Sequence, residues 1–178
     1  MRKLDYYIAV SVDNFIAKPD GSVDGFLGEG DHIQPYIDSL RNYDTVLMGR
    51  STYEFAYQFG LRKGQPVPMY GHMKQYVISS TIGAFDHPQI EVVSQDVSTF
   101  LANLKDQEGL DIYLCGGGTL AAYLLEHGLI DRLILKRNPV LFGDGIPLFH
   151  TLGKEQPANL ENCTVYGSGV IFEYYSVT

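Results

Sequence analysis

The chain has 178 residues, 45% apolar and 19% charged, enough for one well-cored domain and too few for two of ordinary size. Its net charge of −8 argues against a nucleic-acid or anionic-membrane surface, which wants clustered Lys and Arg, while leaving room for an anionic small ligand in a local positive pocket. No apolar run approaches the ~18 residues of a membrane span and the N-terminus lacks a signal-peptide h-region, so a cytoplasmic protein with Cys115 and Cys163 reduced is expected.

Tyr6 to Val12 reads as a first strand, apolar on both faces and therefore central in a sheet. Asp13-Asn14 breaks it, Phe15-Ile16-Ala17 resumes it briefly, and Pro19-Asp20-Gly21 turns the chain. A glycine-rich loop runs to Gly30. Helical spacing follows from His32 to Asn42, with Ile33, Tyr36, Ile37 and Leu40 on one stripe and Pro35 in the first turn. Thr45 to Met48 is a short strand ended by Gly49, and Ser51 or Thr52 is expected to cap a short helix through Phe59. Gly60 to Gly71 is loop, Lys74 to Ser79 and Ile90 to Val93 are strands, and Ser98 to Gln107 is a helix. Leu110 to Cys115 is a strand, followed by Gly116-Gly117-Gly118 and a helix from Thr119 to His127 that Gly128 ends. Leu133 to Leu135 is a strand, and Asn138 to Phe142 leads into the turn Gly143-Asp144-Gly145. The alternating tail from Cys163 to Val177, around Gly167-Ser168-Gly169, predicts a terminal β-hairpin. Strands alternating with helices and then strands alone predict an α/β fold in one domain, residues 1–178. Its central sheet is mainly parallel, with helices on both faces and an antiparallel C-terminal hairpin at the edge.

Three predicted strand ends carry residues suited to a ligand. After Ile112 to Cys115, the glycines 116–118 let the backbone approach a ligand closely, and the N-terminus of the helix beyond offers free N–H groups to a pyrophosphate. This is neither the G-x-G-x-x-G fingerprint nor a Walker loop, and a tight turn without a ligand accounts for it equally well. At Gly49-Arg50-Ser51-Thr52 a guanidinium stands at the start of another helix, where it could hold phosphate or lie exposed on a loop. Ile78-Ser79-Ser80-Thr81 offers hydroxyls to phosphate or ribose, or simply turns. Together they fit one ligand across the C-terminal edge of an α/β sheet.

These segments resemble the dihydrofolate reductase-like superfamily. Ile8 to Ala17 is similar to its opening strand and the loop that closes over nicotinamide, and Val46 to Thr52 to its M-G-R-x-T segment. Ile78 to Ser80 resembles its S-S segment, and Cys115 to Gly118 its triple-glycine turn. Leu129 to Leu133 and Pro139 to Phe149 are closer to the reductase domain of riboflavin biosynthesis and its stand-alone relatives. The resemblance spans nearly the whole chain.

The resemblance implies NADPH as cofactor. Gly49, Arg50, Ser51 and Thr52 would lie near the adenine-side phosphates, Ile78, Ser79 and Ser80 near the 2′-phosphate ribose, and Cys115, Gly116, Gly117, Gly118, Thr119 and Leu120 around the pyrophosphate. Ala9, Ile16 and Ala17 would face nicotinamide. Hydride transfer to a C=N bond also needs a proton, for which Asp31 is the candidate catalytic acid; Asp31-His32-Ile33-Gln34 is equally a helix capping box. The chain has no Trp, so Phe26 is the nearest replacement for the tryptophan beside the folate pocket. Lys136 is a second substrate-binding candidate, suited to an anionic phosphorylated substrate, or else a solvated strand-end lysine. The H-x-E and P-C-x-x-C motifs of the zinc deaminase that often precedes this reductase are absent, and no metal is expected.

The resemblance thus points to an NADPH-dependent reductase of a small heterocycle, similar to 5-amino-6-(5-phosphoribosylamino)uracil reductase. A dihydrofolate reductase proper and a non-catalytic NADP(H)-binding module are the alternatives. A small-molecule substrate is the expected partner, and relatives of the riboflavin type imply a homodimer, for which the tail Val170 to Tyr175 offers apolar surface or intramolecular core.

Overall fold

The computed structural model describes residues 1–177. In chain order the first half forms β1 (Leu4–Val10), β2 (Phe15–Ala17), α1 (Ile33–Ser39), β3 (Tyr43–Gly49), α2 (Arg50–Phe55), β4 (Lys74–Ile78) and β5 (Ile90–Val93). The second half adds α3 (Val97–Asp106), β6 (Asp111–Gly116), α4 (Gly118–Glu126), β7 (Arg132–Arg137), β8 (Ile146–Pro147), β9 (Ala158–Val165) and β10 (Ile171–Val177).

Eight strands make one sheet in the order β5-β4-β3-β6-β1-β7-β10-β9, while β2 and β8 pair separately. Neighbours are parallel from β5 to β7 and antiparallel across β7, β10 and β9. This is the expected fold, with the C-terminal hairpin at the edge. Because successive side chains in a strand leave opposite faces, β1 sends Tyr6 and Tyr7 into different cores. Tyr7, Met48, Tyr113 and Phe172 pack with Leu40 just beyond α1 and Tyr53 of α2. Tyr6, Leu47 and Leu114 pack with Leu101 of α3 and Leu124 of α4.

The N-terminal edge of the sheet is tied by charge. Arg132 donates to both oxygens of the buried Asp5 carboxylate at 2.7 and 2.6 Å and to Asp111 at 2.6 Å, and Tyr43 adds a 2.7 Å hydrogen bond to Asp5. Burial pushes the Asp5 carboxyl up, against the lowering effect of Arg132 and Tyr43. Lys105 reaches Asp131 at 2.6 Å, and Arg2 pairs with Asp44. Together these ties hold the first residues of β1, β3, β6 and β7.

Several boundaries differ from those the sequence predicts. β1 ends at Val10 because the Ser11 N–H turns to Phe15 O. The expected cap at Ser51 or Thr52 is not formed: α2 starts at Arg50 with extended Gly49 at the N-cap position and no side-chain cap. The predicted first helix stops at Ser39 and tightens into a 3₁₀ turn over Leu40–Asn42. The hairpin's first strand begins at Ala158 rather than near Cys163. Among the described residues, no helix is long and apolar enough to cross a membrane.

Candidate active site

The chain leaves β3 outward through β4 and β5, returns as β6 between β3 and β1, and then crosses to β7 beyond β1. Such reversals open a crevice at the C-terminal ends of the strands. Here that crevice is made of glycine. A Cβ on Gly49 would stand 3.5 Å from the Gly117 nitrogen and 3.6 Å from the Gly116 carbonyl oxygen. Gly116 has φ of +124°, a value that side chains rarely adopt, and a Cβ on Gly118 would meet the Pro147 carbonyl oxygen at 2.4 Å. Gly117 is different, since its Cβ position is 3.6 Å from Thr52 Oγ1 and 3.9 Å from Ile16 Cδ1, in ordinary contact with both. The first intrahelical bond of α4 runs from Ala121 N–H to Gly117 O. The N–H groups of Gly118, Thr119 and Leu120 therefore have no partner within the helix.

The β2–β8 pair roofs this cradle, with Ile16 over Gly117 and Ala17 packed on Gly145. Asp13 clasps the roof: its carboxylate accepts the N–H groups of Phe142 at 3.1 Å and Gly143 at 2.7 Å as well as the Ser11 hydroxyl. These bonds, the Ser11 hydroxyl foremost, hold its pKa down to about 2.

At the neighbouring strand end, Arg50 Nη1 donates to Thr81 Oγ1 and Nε to Glu54, both at 2.9 Å. Ser79 is buried and spent on the turn, its Oγ accepting the N–H groups of Thr81 and Ile82. Ser51, Ser80 and Thr119 are exposed, whereas Ile78, Leu120 and Thr52 are half-buried. The structure thus brings the predicted residues at the ends of β3, β4 and β6 to one edge. Thr81, read from the sequence only as one of the strand-end hydroxyls, is the partner that orients Arg50.

On the α1 side of the sheet lies a cavity of about 160 Å³. Its wall is aromatic: Tyr7 from β1, Tyr36 from α1, Tyr70, and Tyr113 from β6. Ile8, Ala9 and Cys115 complete it, and Lys136 from β7 is the one lining residue that carries a full charge. Lys136 Nζ lies 5.2 Å from the Tyr36 ring centroid, and burial pushes its ammonium pKa down. The Tyr36 hydroxyl approaches that of Tyr113 at 3.4 Å, Tyr70 contacts Cys115 Sγ at 3.2 Å, and the buried Tyr7 hydroxyl has no hydrogen-bond partner among the described residues. The cavity and the glycine cradle share a wall. Cys115 precedes Gly116, and Ile8 Cδ1 stands 3.4 Å from the Gly116 Cβ position.

Two predicted site residues lie outside this arrangement. Asp31 is exposed and makes no helix cap; its carboxylate accepts the N–H groups of Gly167 at 2.7 Å and Ser168 at 3.1 Å, which lower its pKa. A group held ionised in this way, by the turn of the C-terminal hairpin, lacks the burial expected of a proton donor. Phe26 stacks on Phe142 with centroids 5.0 Å apart and is not among the residues lining the cavity. The tyrosine wall was missed because Tyr7, Tyr36 and Tyr113 read as core of a strand or helix and Tyr70 as loop; the signal was 13 Tyr with no Trp.

A mainly parallel sheet of this order, a glycine turn between its central strand and a helix, and a roof over that turn define a dihydrofolate reductase-like α/β protein. Residues 2–172 match the RibD C-terminal domain, and the chain belongs to that family. It is 36% identical to the uncharacterized protein YwjB of Bacillus subtilis, over 97% of each chain. Among solved structures it superposes on a Shewanella sp. PV-4 protein assigned provisionally to riboflavin biosynthesis, at 22% identity and a TM-score of 0.81, covering 100% of this chain and 99% of that one. It also superposes on the Thermotoga maritima diaminohydroxyphosphoribosylaminopyrimidine deaminase/5-amino-6-(5-phosphoribosylamino)uracil reductase, at 17% identity and a TM-score of 0.70. The match covers 99% of this chain and 57% of the Thermotoga chain.

Proposed function

We propose that this protein is an NADPH-dependent reductase that adds hydride to a C=N or related polar double bond of a small heterocycle, acting as a cytoplasmic homodimer. One observation carries the reading: the glycine cradle and the tyrosine-lined cavity share Ile8 and the Cys115-Gly116 junction. A dinucleotide laid along the cradle would bring its reactive end to the cavity's mouth. The cradle suits the cofactor, because Gly116 and Gly117 have no side chain and lead straight into the first turn of α4, whose N–H groups have no partner within the helix.

A bound nicotinamide would supply the hydride, and the protein's contribution is position and exclusion of water. Gly117, Gly118 and the N–H groups of residues 118–120 hold the pyrophosphate. Arg50, with the exposed Ser80 and Thr81 beside it, meets the 2′-phosphate. Ile8, Ala9 and Ile16 supply apolar contact for the nicotinamide ring.

The test is Gly117→Val. A Cβ there meets only ordinary contacts, so the variant folds, while its branches crowd the cradle. NADPH affinity measured by calorimetry should fall roughly tenfold to a hundredfold, the equivalent of about 1–3 kcal/mol of overpacking. Unchanged affinity in a folded variant sinks the reading. A second reading, a nucleotide-binding module without turnover, is favoured by the lack of a carboxylate among the cavity-lining residues. NADPH that binds but is not consumed with imines, dihydrofolate or pyrimidine ribosides would support it.

A further inference from the structure

The tyrosine-lined cavity constrains its occupant by size and by charge. At about 160 Å³ it is close to the ~150 Å³ apolar cavity that holds one benzene ring, and well below the ~300 Å³ at which sites for larger ligands begin. A single six-membered ring with short substituents fits; a ring with a phosphorylated sugar has to leave the sugar outside. The walls present ring faces and edges, with Tyr7 packed against Tyr36 and Tyr113 at centroid distances of 5.4 and 6.1 Å. Such faces suit a planar ring.

Polarity in the cavity is one-sided. Lys136 brings three N–H donors, and among the described residues no carboxylate pairs with it; its only aromatic contact of note is the Tyr36 face. The groups lining the cavity with it are Tyr7 from β1, Tyr36 from α1, Tyr70, and Tyr113 and Cys115 from β6. Burial pushes the ionisation of each of these phenols and of the thiol up, so all stay neutral. A desolvated cation without a counter-charge is costly, and a ligand atom that accepts from Nζ relieves that cost.

We propose that the cavity takes a compact, planar, single-ring group whose acceptor nitrogen or oxygen sits against Lys136 Nζ, and that Lys136 is the residue that protonates that atom when the ring is reduced. The proposal rests on the reductase reading for its chemical step alone. There the ring carbon gains hydride with its electron pair from the reduced dinucleotide, which is left oxidised. The π pair of the C=N or C=O bond moves to the heteroatom, Lys136 gives that atom one proton, and the amine takes a proton back from water. Desolvation eases the loss of that proton.

The experiment uses 4-nitrophenol as a single-ring ligand whose phenolate and phenol forms absorb differently, and ribose 5-phosphate as a phosphorylated sugar without a planar ring. Both are titrated into the full chain with and without NADPH. The parent should bind one 4-nitrophenol per chain, with the phenolate band enhanced at a pH where the free ligand is partly phenol. Lys136→Met should weaken that binding by roughly tenfold or more, as the loss of a charge-assisted hydrogen bond requires, and abolish the enhancement. On the parent protein, 4-nitrophenol should slow reductive methylation of Lys136, read by mass spectrometry, and ribose 5-phosphate should not. Equal affinity in a folded Met variant, an unprotected Lys136, or displacement of 4-nitrophenol by ribose 5-phosphate overturns the proposal. Failure of NADPH to bind while 4-nitrophenol still binds through Lys136 sinks the reductase reading and leaves the ligand assignment standing.

Discussion

Arg50 is about half exposed and held between Thr81 and Glu54, so its guanidinium is steered rather than free. Should it meet the 2′-phosphate, Arg50→Ala removes a charge-assisted contact of roughly 1.5–3 kcal/mol, reduced by solvent screening. NADPH should weaken about tenfold or more by calorimetry, with NADH nearly unchanged; equal weakening of both makes Arg50 a ligand of the shared pyrophosphate or a structural residue. Arg50 was legible because a guanidinium beside a strand-end glycine is a local pattern. Asp31 was not: an acid at a helix start looks the same in sequence whether it caps the helix or clamps a distant turn, and its partners Gly167 and Ser168 lie more than 130 residues away. Lys136 was visible as a strand-end lysine, but its aromatic surroundings come from four separate segments that only the assembled sheet brings together.

Among the elements, those with a period of their own were legible. β3, β4, β5, β6 and α4 fall within two residues of their expected limits, and Gly128, with φ of +65°, follows α4 as anticipated. The two-residue β8 shows no periodicity, and it pairs with β2 across some 130 residues of chain. That pairing is what closes the roof, so the roof was the unreadable part of the site. Its clasp makes a pH prediction. The folded state holds Asp13 at about 2, below the ordinary 3.8, so its carboxylate stabilises the fold fully above about pH 4 and loses that effect as pH falls through 2. Asp13→Asn should therefore melt below the parent at pH 5–6, and the gap should close as both are taken toward pH 2. A gap that does not vary with pH would assign the loss to shape rather than charge.

For the molecule as a whole, alternating strands and helices gave the parallel sheet and the all-strand tail gave its antiparallel edge. The position of β6 between β3 and β1 was set by long-range pairing that no local pattern records. The same holds for the association surface. The tail Val170 to Tyr175 proves to be mostly intramolecular: β10 lies between β7 and β9, with Val170 and Phe172 fully buried. Exposed apolar surface sits instead on the edge strand β9, where Leu160 is 58% and Val165 71% accessible. β9 carries no Lys or Pro, and its protections are Glu161 and the irregularity in pairing there, opposite Tyr174 and Tyr175. In the proposed homodimer, residues beyond Glu161 would pair with a second copy about a twofold axis, joining two sheets edge to edge. The proposed homodimer predicts that the parent sediments as a dimer at about 20 μM, a range in which a micromolar or tighter complex persists. Val165→Lys, which puts a cation on the edge and leaves the core untouched, should shift it to monomer with little change in melting temperature. A parent that is monomeric at that concentration removes the homodimer, and a dimer that survives Val165→Lys moves the interface away from β9.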